Sequence, residues 1–145
     1  MRIGFFPNMG KANIMEVLKE ACHICGNHGI EVFIPDDLEG DHVNYDLGLD
    51  EDHVLSRPEI FRVIDMAFSF GGDGTIIQLA REIYAFGVPI CGINLGELGF
   101  LNQIEVEQLP CHIDRLAKGE YYTENRNHLC AYIQREDGTK EDLVP

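Results

Sequence analysis

The sequence predicts an α/β fold, with an open, mostly parallel sheet and helices on both faces, and three observations carry that prediction. Apolar runs short enough for buried strands alternate with amphipathic stretches of helical period. The links between them are short, so strand, helix and strand close into parallel pairs through right-handed crossovers. Two of the apolar runs end abruptly in glycine-bearing loops, at Gly71 and after Asn94, and open parallel sheets bind ligands at the carboxyl ends of their strands.

Taken in order, Arg2 to Pro7 reads as a short buried strand, closed by the turn Pro7-Asn8-Met9-Gly10. A helix follows, with Ile14, Val17, Leu18, Ala21, Ile24 and Cys25 on one stripe and Gly26 or Gly29 to stop it. Glu31 to Pro35 is the second strand, and a short helix starts near Pro58, a residue suited to a first helical turn. Ile64 to Phe70 is the third strand. Its helix is expected to begin near Thr75, since Ile76, Leu79, Ala80 and Ile83 recur at helical spacing. Gly87 caps that helix, Val88 to Asn94 forms a fourth strand, and Val106 to Ala117 forms a last helix, with Leu109, Ile113 and Leu116 on one side. The pattern then changes to a hairpin: Leu129 to Gln134, a turn at Glu136-Asp137-Gly138-Thr139, and Lys140 to Val144 returning. A two-stranded hairpin is marginal alone and leaves open edges, so a β-rich portion is expected to be missing from this chain.

At 145 residues the chain is long enough for a real core, and 45% hydrophobic and 25% charged residues match an ordinary globular composition. Nothing approaches a membrane span or a signal peptide, which makes the cytoplasm the expected location. A formal charge of −14 argues against a nucleic-acid binder, which needs clustered Lys and Arg. Eight carboxylates lie between Asp36 and Asp52 with no Lys or Arg among them. They lack the spacing of a calcium loop, and a solvated, mobile surface loop is the favoured reading. Five cysteines with no export signal suggest reduced thiols. Cys22-His23-Ile24-Cys25 invites a zinc or redox reading, but no second pair follows it. Cys25 also falls on the apolar stripe, so packing is favoured over chemistry.

The stretch Gly71-Gly72-Asp73-Gly74-Thr75 carries the chemistry. Glycines without Cβ atoms let a ligand approach bare N–H groups, and a helix start adds unpaired donors and the positive end of a dipole, which suits a phosphate. Asp73 would repel a phosphate set directly on it, so its expected partner is a hydroxyl or a metal ion carried by the same ligand. The second loop, Asn94-Leu95-Gly96-Glu97-Leu98-Gly99-Phe100-Leu101, forms another side of the same crevice. There Asn94 offers a polar anchor, while Leu98 and Phe100 either face a planar base or merely cap the core.

These two loops, in this order and separation, with Arg81 between them and Asn125-Arg126-Asn127-His128-Leu129 after them, strongly resemble the N-terminal half of the NAD kinases, also called inorganic polyphosphate/ATP-NAD kinases. The resemblance implies a Rossmann-like domain, shared more distantly with phosphofructokinase, over residues 1–120. It implies that 121–145 begin a β-rich second domain, mostly absent here, with NAD bound between the two. By the same resemblance Asp73 is the proton acceptor for the 2′-hydroxyl of the adenosine ribose. Nucleotide contacts are implied for Gly71, Gly72, Asp73, Gly74, Thr75, Ile77, Gln78, Asn94, Gly96, Leu98, Gly99 and Phe100, Gln78 standing where relatives often carry a polar or basic residue. No residue of the chain is expected to be a metal ligand in its own right; Mg²⁺ is expected to arrive with ATP or polyphosphate. The family's Asn-Glu or Asn-Asp motif would follow Pro145, so this chain alone is expected to be inactive, and the longer protein to be a homo-oligomer.

Two other readings stand beside it. Lipid kinases of the diacylglycerol or sphingosine type share the first loop but not Asn94-Leu95-Gly96 with Leu98-Gly99-Phe100. A non-catalytic nucleotide-binding module would keep the glycine loop and show no dependence on Asp73.

Overall fold

A computed structural model describes residues 1–38, 42–96, 99–127, 129 and 131–143. The elements run β1 (Arg2–Pro7), α1 (Ile14–Asn27), β2 (Glu31–Pro35), α2 (Val43–Leu47), β3 (Val54–Leu55), α3 (Arg57–Val63), β4 (Met66–Gly71), α4 (Asp73–Ile83), β5 (Ile90–Asn94), β6 (Ile104–Glu105), α5 (Leu109–Ala117), β7 (Ala131–Gln134) and β8 (Lys140–Leu143). The first six strands form one parallel sheet in the order β3-β2-β1-β4-β5-β6, and β7 and β8 pair antiparallel in a second sheet.

Strand alternation sorts the core onto two faces. Ile3 and Phe5 of β1, Val32 and Ile34 of β2, and Met66, Phe68 and Phe70 of β4 point to the side covered by α1, α2 and α5. Phe5 stacks on Phe68 and meets Phe70 edge-on there. Phe6 and Ala67 point the other way, onto Ile60 and Phe61 of α3 and Leu79 and Ile83 of α4. The expected doubly covered parallel sheet is therefore present. On that second face Gly4 has no room for a side chain: a Cβ would stand 2.9 Å from Ile60 and from Ile64.

Four details differ from the sequence reading. The sheet gains β3 and β6, two-residue strands too short to show a period of their own. The strand after Gly87 is consequently the fifth of the sheet. The acidic run holds α2, whose Val43 and Leu47 are buried, so it is more than a solvated loop; Glu39 and Asp41 lie outside the described residues. The last helix is a 3-10 turn, Val106–Gln108, followed by α5. The cysteine pair behaves as packing predicts. Cys22 and Cys25 are buried in the α1 stripe, and burial pushes both thiols up to about 12.

Strand order decides where a ligand can sit. From β1 the chain builds outward through β2 to β3, then returns beside β1 with β4 and builds the other way. Connections diverge between β1 and β4, which opens a crevice above their carboxyl ends. The turn after β1 and the glycine loop after β4 face each other across it.

Candidate functional site

β4 ends at Gly71, fully inside the sheet, where a Cβ would stand 2.9 Å from the Thr75 Cβ. Gly72 is the N-cap in extended conformation, and α4 starts at Asp73, two residues earlier than the hydrophobic period predicts. An acid in the first turn is favoured by the helix dipole, which is why Asp73 can be helical. Thr75 and Ile76 donate their N–H groups to the Gly72 carbonyl at 3.0 and 3.4 Å. The N–H groups of Asp73 and Gly74, in the first helical turn, have no intrahelical acceptor.

The Asp73 side chain turns toward the loop after β5. Its Oδ2 accepts the Phe100 N–H at 2.9 Å, and its Oδ1 accepts the Leu101 N–H at 3.1 Å and the Asn102 Nδ2 at 3.3 Å. The backbone bonds from Phe100 and Leu101, with a smaller contribution from Asn102, hold the carboxyl below its ordinary range. Gly99 makes this approach possible, because a Cβ there would stand 2.7 Å from the Asp73 Cγ. The partners of Asp73 are thus protein donors rather than only ligand groups. A carboxylate has about four acceptor positions, and three are used, so Oδ2 keeps room for one hydroxyl.

The second loop is tied down at both ends. Leu95 donates its N–H to the Gly71 carbonyl at 3.2 Å, joining the two loops directly, and Asn94, 8% exposed, donates Nδ2 to the Gly96 carbonyl at 3.0 Å. At the far end Gln103 bonds Gly92 through both its backbone N–H, at 3.0 Å, and its Oε1, at 2.8 Å. Phe100 is 96% exposed, so of its two sequence readings the core-capping one does not hold. Leu98 lies outside the described residues.

Gly71, Asp73, Asn94, Gly99 and Phe100 therefore gather on the β5 side, as the two-loop reading requires. Gly72, Gly74, Thr75 and Gln78 line a cleft of about 700 Å³ on the β1 side. Ile77, exposed on α4, does not line that cleft. The cleft's opposite wall comes from the turn after β1, including Asn8 and Lys11, and from Arg57. Lys11, Arg57 and Asn102 escaped the sequence reading. Had β1 been placed next to the glycine-loop strand, Pro7-Asn8-Met9-Gly10-Lys11 would have stood out as a cation on a tight turn facing it.

Residues 3–121 match the family described as ATP-NAD kinase N-terminal domain. The chain belongs to the NAD kinase family. It is 34% identical over 136 residues to a NAD kinase of Caldanaerobacter subterraneus, an alignment covering 94% of this chain and 46% of that protein. A NAD kinase of Methanopyrus kandleri is 31% identical, with 84% and 40% covered. The chain thus spans about half the length of the curated relatives it matches. In fold it is similar to yeast NADH kinase complexed with NADH, at a TM-score of 0.69 and 14% identity, covering 98% of this chain and 45% of that one. These matches favour the NAD kinase reading over a lipid kinase.

Proposed function

We propose that this chain is the nucleotide-binding half of a NAD kinase, which transfers the terminal phosphoryl group of ATP or polyphosphate to the 2′-hydroxyl of the adenosine ribose of NAD, giving NADP. The observation that carries the reading is the Asp73 carboxylate at the head of α4, oriented by the Phe100 and Leu101 N–H groups and left with one open acceptor position on Oδ2.

Phosphoryl transfer to a hydroxyl depends mainly on positioning and on electrostatics. Asp73 accepts the hydroxyl proton's hydrogen bond and aims the oxygen at the phosphorus. With its acidity strengthened by three donors it is a weak base, so the proton moves to it late, after the acceptor oxygen has begun to bond. The backbone N–H groups of Gly74 and its neighbours face the donor's phosphates. Phe100, exposed beside the carboxylate, offers an apolar face to the adenine. Among the described residues no three His, Cys, Asp or Glu side chains gather. A Mg²⁺ ion would arrive with the donor on its phosphate oxygens and would supply charge neutralisation there.

We also propose that the reaction takes place in the cytoplasm, in a homo-oligomer. The deciding experiment is NADP formation from NAD, ATP and Mg²⁺, comparing this chain with one extended to the length of its relatives. Activity in the extended protein alone, lost on Asp73→Asn, is the expected result. An extended protein that phosphorylates a lipid and not NAD, or that works equally well with Asp73→Ala, overturns the reading.

A further inference from the structure

The Asp73 carboxylate faces the loop after β5. Lys11 comes from the turn that lines the cleft on the β1 side. The turn that carries it is fixed to β4: Asn8 donates its N–H to the Phe70 carbonyl at 2.9 Å, the Asn8 Oδ1 accepts the Gly10 N–H at 3.0 Å, and the Lys11 N–H returns to the Asn8 carbonyl at 3.1 Å. From this anchor the side chain reaches the loop beyond β5, where its Nζ lies 3.5 Å from the position of a Cβ on Gly96. β4 lies between β1 and β5 in the sheet, and neighbouring strands are about 4.8 Å apart. The lysine stem therefore crosses above the carboxyl end of β4, over the glycine loop.

The cations around this cleft are not equally free. In a chain of formal charge −14, Arg57 on the same cleft is held by Asp37 at 2.8 Å and Glu82 at 3.0 Å. Lys19 and Lys118 have carboxylate partners as well. Lys11, half-buried, has none among the described residues. An ammonium held over a glycine loop, with a cleft of about 700 Å³ beside it and the cleft's Asp37 already paired with Arg57, suits an anion of several charges.

We propose that Lys11 binds the phosphate chain of the phosphoryl donor over the glycine loop, at the edge of the cleft between β1 and β4. The inference rests on the kinase reading above and assigns its donor side. Lys11 draws the donor's terminal oxygens toward the first turn of α4 and offsets the negative charge that they bring near Asp73.

The test is binding of inorganic tripolyphosphate to the folded chain at low ionic strength, by calorimetry or ³¹P NMR. Lys11→Ala is expected to weaken it about tenfold and Lys11→Arg to restore most of the loss, while Lys19→Ala leaves it unchanged. Tripolyphosphate binding that is absent in the folded wild-type chain, unaffected by Lys11→Ala, or equally weakened by Lys19→Ala overturns the inference. The two readings fail separately. If the extended protein makes NADP and Lys11→Ala changes neither its KM for ATP nor its kcat, the donor assignment falls alone. If no NADP forms while tripolyphosphate binding still depends on Lys11, the NAD kinase reading falls instead.

Discussion

Asp73 is legible in the sequence because a lone carboxylate among three glycines has no packing role to explain it, whereas its partners are not legible. Phe100, Leu101 and Asn102 lie 27 to 29 positions away, and only the pairing of β4 with β5 brings them to it. The expectation that Asp73 serves ligand groups alone missed this internal use. It has a consequence in pH. The folded carboxyl lies below its unfolded value of about 3.9, so the bonds to Phe100 and Leu101 are intact above that value and are lost as pH falls through the lower, folded one. The amide NMR signals of Phe100 and Leu101 are expected to shift together, with a midpoint below about 3.9, and to show no such step in Asp73→Asn. A midpoint at or above the ordinary carboxylate value would count against the bonded geometry. Gly99→Ala tests the same contact from the other side. Its Cβ would crowd Asp73, and both amides are expected to lose their hydrogen-exchange protection while the melting of the sheet changes little.

At the scale of elements, strands and helices with a full period were legible and those without one were not. The stripe of α1 shows Leu18 and Cys25 facing inward, and both are 0% exposed. By contrast β3 and β6 have two residues each and exist because a neighbouring strand supplies their partners. α2 was hidden because the carboxylates of the run around it outweigh Val43 and Leu47 in any reading by charge. Two predictions belong to α1. Leu18→Ala leaves a hole against the sheet and is expected to cost about 3 kcal/mol, lowering the melting midpoint by about 10 °C. Cys22 and Cys25, whose thiols burial keeps protonated, are expected to resist iodoacetamide at pH 8 in the native chain while exposed Cys111 reacts. Rapid labelling of Cys22 or Cys25 under native conditions would show that α1 opens easily.

For the whole molecule, the sequence shows which segments are strands but not which lie side by side. Crossover handedness is fixed by chirality, yet a returning strand can join either edge of the growing sheet. That freedom placed β4 beside β1 and built the β1 cleft, which is why the donor side of the site was invisible when the loops after β4 and β5 were legible. The same question of contacts decides how residues 121–145 behave. β7 and β8 pair with each other through Ala131 to Leu143, and the side chains of Ala131 to Gln134 are exposed. A hairpin of this kind contributes little to a sheet that it does not cover. Ending the chain at residue 120 is therefore expected to lower the stability of the six-stranded sheet by less than about 1 kcal/mol, a few degrees in melting midpoint. In the intact chain the amides of β7 and β8 are expected to exchange far faster than those of β1 and β4. A large loss of stability on truncation would mean that the segment packs on the sheet as part of one cooperative unit, and the boundary proposed at residue 120 would be wrong.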